Sequence, residues 1–293
     1  MATLEPVLLR GGERVRRRRI VNRAVELLAT AAALVAVAVL AIVVLSVAQR
    51  GIGEIGWGFL TKPLPLFGEP GGGIAPLIVG SAILVGIATA IALPLGVLSA
   101  LFLTEFAPKR VAAPIQLTLD LMNGLPSVII GVFVFGLLVY GHTQSAYAGG
   151  FALSVVMLPL IARSTQEVLR LVPTTQREGA LALGASRWRT VLGIVLPNAL
   201  GGILTGTVLA IARAAGETAP LLFTTSIFVT TVTTDVRHAM PNMPVQIFIW
   251  SESDDPADHR RAWATALVLL VFVLITSVLA RVALARSRKK LGQ

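Results

Sequence analysis

The sequence predicts an all-α integral membrane protein with six transmembrane helices and both termini on the cytoplasmic side. Three observations carry that reading. The chain of 293 residues is 55% hydrophobic, with a mean hydropathy of +0.81, well beyond a soluble domain. Its apolar runs reach the roughly 20 residues that a bilayer crossing needs. They consist of Leu, Val, Ile and Ala without strict alternation, which favours helices over a barrel.

The spans read as 24–48, 74–104, 114–140, 146–169, 196–229 and 262–285. A basic cytoplasmic tail (1–23) precedes the first helix, and an outer loop (49–73) follows it. A core over 74–285 holds five helices and a cytoplasmic loop at 170–197, and a basic tail (286–293) ends the chain. Nineteen of the 25 Lys and Arg fall on the side of the tails and of the loops at 105–113 and 170–195, with Arg163 and Arg281 near span ends counted there. Only Arg50, Lys62, Arg237, Arg260 and Arg261 fall on the other side. The basic side is therefore expected to be cytoplasmic. The cluster Arg14, Arg16 to Arg19 and Arg23 resembles the start of a signal peptide, but the apolar run after it is too long and lacks a cleavage site, so the first helix is read as retained.

The two long outer loops differ in character. Trp57, Pro63, Pro65 and Gly71-Gly72-Gly73 suggest an irregular excursion ending in a flexible joint. The loop at 230–261 carries Asp235, Glu252, Asp254, Asp255 and Asp258 without the spacing of a calcium loop, and reads as a solvated docking surface.

Several chemistries are excluded. Without cysteine there is no disulfide, thiol nucleophile or thiolate metal site. None of Lys62, Lys109, Lys289 and Lys290 follows a glycine, so a phosphate-binding Gly-Lys-Ser/Thr loop is missing. His142, His238 and His259 are scattered over outer loops, and neither Ser127 nor Ser164 has a histidine near it in sequence. No cofactor is expected in this chain. The net charge of +10 flanks apolar spans, where it sets topology rather than nucleic-acid binding.

The polar loop has an ordered pattern. Glu178-Gly179-Ala180 is followed by three residues, Gly184, nine residues and Ile194-Val195-Leu196-Pro197. Leu181, Leu183, Trp188, Val191 and Leu192 are expected to share one side of a short helix-turn-helix broken at Gly184, with Arg187 and Arg189 facing water or an acidic rim. The spacing resembles the E-A-A loop of ABC importer permeases, with Gly179 in place of an alanine. The resemblance implies a type I importer permease (MetI-like) fold whose coupling helix sits in a groove of a separate ATP-hydrolysing subunit.

One charged pair lies inside a span. Arg213 and Glu217 are four apart and share a helix face. Charge at the bilayer centre costs about 2.5 to 3.5 kcal/mol, so the pair is expected to face protein or a water-filled path. Pro220 cannot bond the Gly216 carbonyl, which is expected to loosen the helix beside the pair. Pro94, Pro126 and Pro159 are each expected to interrupt a span, and Gly201, Gly202 and Gly206 to permit close helix approach.

Arg213-Ala214-Ala215-Gly216-Glu217-Thr218-Ala219-Pro220-Leu221-Leu222-Phe223 looks like the signature segment of PstA-type phosphate permeases. Gly71 to Ile74, Pro126 to Gly131, Pro159 to Pro173, Met243 to Phe248 and Ala262-Trp263-Ala264 extend the resemblance over about residues 20–285. It implies a multi-pass subunit of a high-affinity phosphate importer in the bacterial inner membrane. Its partners would be a homologous second permease, two ATP-binding subunits that hold the ATP and Mg, an external phosphate-binding protein and inorganic phosphate. Arg213, Glu217, Gly216, Thr218 and Arg163 become the pathway residues. Glu178, Gly179, Ala180, Gly184, Arg187, Trp188 and Pro197 become the coupling loop. Two other readings compete on sequence alone: a permease for another oxyanion such as molybdate or sulfate, and a membrane enzyme or scaffold acting on phosphorylated lipids.

Overall fold

The computed structural model describes residues 13–66, 71–225 and 229–290. Residues 1–12 of the expected N-terminal tail, 226–228 of the expected fifth span and 291–293 of the second tail lie outside them, as do 67–70 of the first outer loop. The described residues are helical, without a strand. In chain order the helices are α1 (Glu13–Gly51), α2 (Trp57–Thr61), α3 (Ala75–Leu101), α4 (Lys109–Gly124), α5 (Ser127–Val134), α6 (Ala146–Leu171), α7 (Thr174–Ala182), α8 (Arg187–Thr190), α9 (Leu196–Ala215), α10 (Ala219–Thr224), α11 (Met243–Ser251) and α12 (Pro256–Lys290).

The chain divides into one unit up to Gln49 and another from Arg50. The first is most of α1, whose residues 27–47 are apolar apart from Thr30 and Ser46. Thr30 returns its hydroxyl to the Glu26 carbonyl at 2.8 Å, which removes one polar group from an apolar helix.

Among the described residues, five helical stretches are long and apolar enough to cross a membrane: Val15–Glu54, Ala75–Phe106, Ala146–Leu171, Arg187–Ala215 and Pro256–Val278. The expected third span is not one helix. Lys109–Gly124 and Ser127–Val139 meet at a bend of 102°, because Pro126 lacks an amide hydrogen and pushes Leu125 to an extended backbone at ψ 135°. Pro94 and Pro159, by contrast, sit inside unbroken α3 and α6. A buried proline in a bundle is tolerated where neighbouring groups compensate the lost bond.

The core of the second unit is α3 beside α6 in the same direction, with α9 returning antiparallel. Leu84, Ala88 and Ala92 of α3 pack with Leu153, Met157 and Ile161 of α6 and with Ala210 and Ala214 of α9. Between apolar helices in lipid, close packing drives association, so small residues mark the seams. A Cβ on Gly202 would meet the Val168 side chain, and one on Gly206 the Ser164 side chain.

Two further expectations change. The fifth span begins at Arg187, running through a π-helical turn over Val191–Val195 into α9, and it ends at Ala215. The run Gly71-Gly72-Gly73 is a packed turn, not a flexible joint. Gly71 and Gly72 hold φ of +92° and +79°, and a Cβ on Gly73 would lie 2.6 Å from the Phe59 carbonyl oxygen. Inside the second outer loop, Asn242 caps α11 by accepting from the Val245 amide at 3.1 Å. The Met243 amide donates to Ser81 Oγ of α3 at 2.9 Å.

Candidate functional site

The chain breaks its helices twice at one level. At the end of α9 the amides of Gly216 and Glu217 bond back three residues, to the carbonyls of Arg213 and Ala214 at 3.1 Å each, which closes the helix. Pro220 falls in the first turn of α10, where its missing amide hydrogen costs nothing. Thr218 stands at the N-cap of α10 without a side-chain capping bond. Gly216 keeps φ at −97°, so the break comes from Pro220 and from glycine's poor helix propensity, not from a left-handed turn.

The second break, at Leu125 and Pro126, faces the first. Gly131 of α5 lies so close to α10 that a Cβ there would be 2.7 Å from Pro220 Cα. Arg213, in the last turn of α9, joins the residues from Met122 to Ser127, Ile130 and Val156 around a cavity of about 320 Å³. Its Nε lies 3.7 Å from Glu217 Oε1, and the two side chains are 56% and 17% exposed. The carboxylate is thus an ion-pair partner beyond hydrogen-bond reach, and the guanidinium stays open to the cavity. The first turn of α5 also borders this space at Ser127, adding the positive end of a helix dipole. A cation, a helix N-terminus and interrupted backbone around one cavity suit a small anion.

Arg163 lies elsewhere. It stands two turns before the end of α6, inside the helix and not at its edge, and is bonded to Asp120 of α4 at 2.8 Å.

The loop between α6 and α9 folds as two short helices. Gly184 takes φ +82° between them, and Ser186 caps α8. Glu178 and Gly179 are exposed and Ala180 is buried. The expected common apolar side is split: Val191 is buried with Leu169, Val195 and Ala199, while Leu181, Leu183, Trp188 and Leu192 are exposed, Leu183 at 91%. The π-helical turn after α8 rotates Val191 inward, and the remaining apolar residues form a surface of the kind that marks a protein contact. Arg187 and Arg189 are exposed, with the Arg187 guanidinium 5.9 Å from the centre of the Phe106 ring. Pro197 occupies the first turn of α9.

Sequence reasoning missed what holds this loop. Arg177 donates to Glu105 at 2.9 Å, to the Leu169 carbonyl at 2.7 Å and to the Val172 carbonyl at 3.1 Å. Phe106 stacks on Trp188 with ring centres 4.5 Å apart. Glu105 and Asp120 each carried a signal, a lone carboxylate within or at the end of an apolar run.

A membrane-spanning helical subunit with two facing helix breaks and an ordered two-helix loop has the build of a transporter permease. Residues 92–289 match the family described as binding-protein-dependent transport system inner membrane component, and the chain belongs to that family. It is similar to the phosphate transport system permease protein PstA of Yersinia pestis, 37% identical over 273 residues that cover 92% of each chain. With the protein of the same name from Xylella fastidiosa strain 9a5c it shares 38% identity over 276 residues, 93% of this chain and 96% of the other. Among solved structures, a bacterial ABC transporter involved in the import of the acidic polysaccharide alginate gives a TM-score of 0.60 at 15% identity, covering 92% of this chain and 99% of that one. An inward-facing MetNI methionine ABC transporter gives 0.57 at 17%, covering 73% and 94%. The fold is therefore that of an ABC importer permease, as the loop spacing implied, and the PstA-like segment around Arg213 pointed to the same relatives.

Proposed function

We propose that this chain is one permease of an ATP-driven importer of inorganic phosphate in a bacterial inner membrane, forming half of the translocation path. The observation that carries the substrate is Arg213, a guanidinium opening on a cavity where two helices break opposite each other. Its planar fork suits two oxyanion oxygens at once. Gly216 and Thr218 supply the interrupted backbone beside it, and Glu217 tempers the charge so that phosphate is released.

The remaining half of the path belongs to a homologous second permease. The exposed Leu181, Leu183 and Trp188, with Glu178, Gly179 and Arg187 around them, seat the coupling loop on one of two ATP-binding subunits, which hold the ATP and Mg. This chain needs no cofactor. The loop end is cytoplasmic, as are both termini. The opposite end, with α2, α11 and the carboxylates near Asp255, receives an external phosphate-binding protein. ATP closure opens the path outward, and hydrolysis returns it inward.

The test is uptake of labelled phosphate at low concentration by cells lacking the gene, restored with wild type, Arg213→Gln or Glu178→Ala, with sulfate and molybdate uptake beside it. Wild type is expected to restore phosphate uptake and Arg213→Gln to fail at normal membrane abundance. Loss and rescue of sulfate or molybdate uptake instead would transfer the assignment to another oxyanion.

A further inference from the structure

A second arginine in the bundle is arranged differently from Arg213. Arg163 Nη1 touches Asp120 Oδ1 at 2.8 Å, and the same oxygen accepts from Gln116 Nε2 at 3.2 Å. The two charged side chains are 53% and 48% exposed. One turn on from Arg163, Gln166 is 2% exposed, and its Nε2 has no hydrogen-bond partner. Gln116, Asp120, Arg163 and Gln166 line a void of about 10 Å³ between α4 and α6. Asn123 borders both this void and the larger cavity of Arg213, so the two arginine sites adjoin.

An ion pair alone does not account for this cluster. Pairs this exposed add little stability, and charges within apolar segments are costly unless used. The buried amide donor of Gln166 is a further cost that the pair leaves uncompensated. Three donors, the Arg163 fork and the Gln116 and Gln166 amides, instead line one void with a single carboxylate oxygen. Only the first two reach it.

We propose that this cluster is a second oxyanion station on the path, with Asp120 as its built-in occupant. The inference rests on the phosphate-permease reading above and names the residues of the next step after Arg213. A tetrahedral phosphate offers four oxygens to the donors that one carboxylate only partly satisfies. Phosphate arriving past Asn123 displaces Asp120 from Arg163, and Gln166 gains the bond it lacks. The return of Asp120 to Arg163 then expels the anion and keeps the station from becoming a trap. Asp120 is thus a positioning residue that acts through Arg163, and Arg163, Gln116 and Gln166 are the groups that touch the anion.

The complete transporter, with its ATP-binding subunits and binding protein, is reconstituted in vesicles that trap ATP, and labelled phosphate uptake is measured against rising unlabelled phosphate in the lumen. Asp120→Asn is isosteric at a half-exposed position, so assembly is expected to persist, and Asp120→Ser serves as a second removal of the charge. Both are expected to lower the half-inhibiting lumenal phosphate about tenfold, the size of one charge-assisted bond gained or lost. Adding Gln166→Leu to Asp120→Asn is expected to return that midpoint toward wild type, although the ion pair stays broken. Arg163→Gln is expected to reduce uptake without greater sensitivity to lumenal phosphate. An unchanged midpoint in both Asp120 variants would overturn the station. So would equal losses of uptake in Asp120→Asn, Arg163→Gln and the double variant, which is the pattern of a structural ion pair. If the wild-type vesicles take up another oxyanion and not phosphate, the substrate reading fails, and the same series run with that anion still decides the station. Uptake of no anion overturns both.

Discussion

Arg177 of α7 and Glu105, in the π-helical turn Phe102–Phe106 that follows α3, are bonded at 2.9 Å, with side chains only 21% and 10% exposed. The next residue, Phe106, is stacked on Trp188. One dipeptide just past α3 therefore holds both helices of the loop, Glu105 through α7 and Phe106 through α8. The other end of α3 is bonded to the start of α11 through Ser81. α3 is unbroken from Ala75 to Leu101 with Pro94 inside it, so one continuous helix joins the loop to the start of α11.

Breaking that clasp is expected to uncouple the two activities rather than abolish either. Glu105→Gln leaves Arg177 partly buried without its counter-charge, at a cost of about 1–3 kcal/mol once its residual exposure is allowed for. In the reconstituted complex, ATP hydrolysis is expected to continue while phosphate taken up per ATP falls about fivefold, the size of a coupling change near 1 kcal/mol. Phe106→Ala is expected to act in the same direction. An unchanged ratio in both variants would show that the loop moves independently of α3.

The contact between the two helix breaks gives a steric expectation. A methyl group at Gly131 would stand 2.7 Å from Pro220 Cα and 3.1 Å from the Phe223 ring. Backbone cannot yield as a flexible side chain does, so Gly131→Ala is expected to push α5 away from α10 at about 1–3 kcal/mol, the usual cost of overpacking. A lower melting temperature of the purified complex, together with slower uptake, is the outcome to look for. A variant that melts and transports like wild type would mean that the breaks are not in fixed contact.

Gly179 is the opposite case. It stands where the related loop pattern has alanine, within α7 and exposed, and a Cβ there meets nothing within 4 Å. Gly179→Ala is expected to stabilise the helix by about 0.5–1 kcal/mol, through the smaller entropy cost of ordering alanine. Uptake is expected to be unchanged. Reduced uptake at higher stability would reveal that the ATP-binding subunit needs the bare backbone at this position.

The membrane class, the two-helix loop and the charged pair were legible because each leaves a local trace: long apolar runs, a fixed glycine spacing, and charge where charge is expensive. The bend at Pro126 was only half legible. The same residue type occurs at Pro94 and Pro159, and whether a proline breaks a helix or is absorbed depends on neighbours that no local pattern records. Arg163 was read from its charge as a span edge, and only its meeting with Asp120, 43 positions away, explains its place two turns inside α6. The clasp of Arg177 by Glu105 spans 72 positions and was invisible for the same reason.

Glu217 supplies a prediction about selectivity. One carboxylate oxygen is 3.7 Å from Arg213 Nε while the side chain stays mostly buried, and a carboxylate has acceptor directions beyond the one facing the arginine. Phosphate near neutral pH retains a hydroxyl that can donate to it, and sulfate has none. Delivery from outside passes through the binding protein, so discrimination by the permease is best read from the lumen, as the ratio of half-inhibiting sulfate to half-inhibiting phosphate. Glu217→Gln keeps the size of the side chain but removes the charged acceptor. It is expected to lower that ratio about tenfold, the value of one hydrogen bond to a charged group in a partly desolvated site. If the ratio and the uptake rate both stay at wild-type values, Glu217 only balances Arg213 and takes no part in recognising the anion.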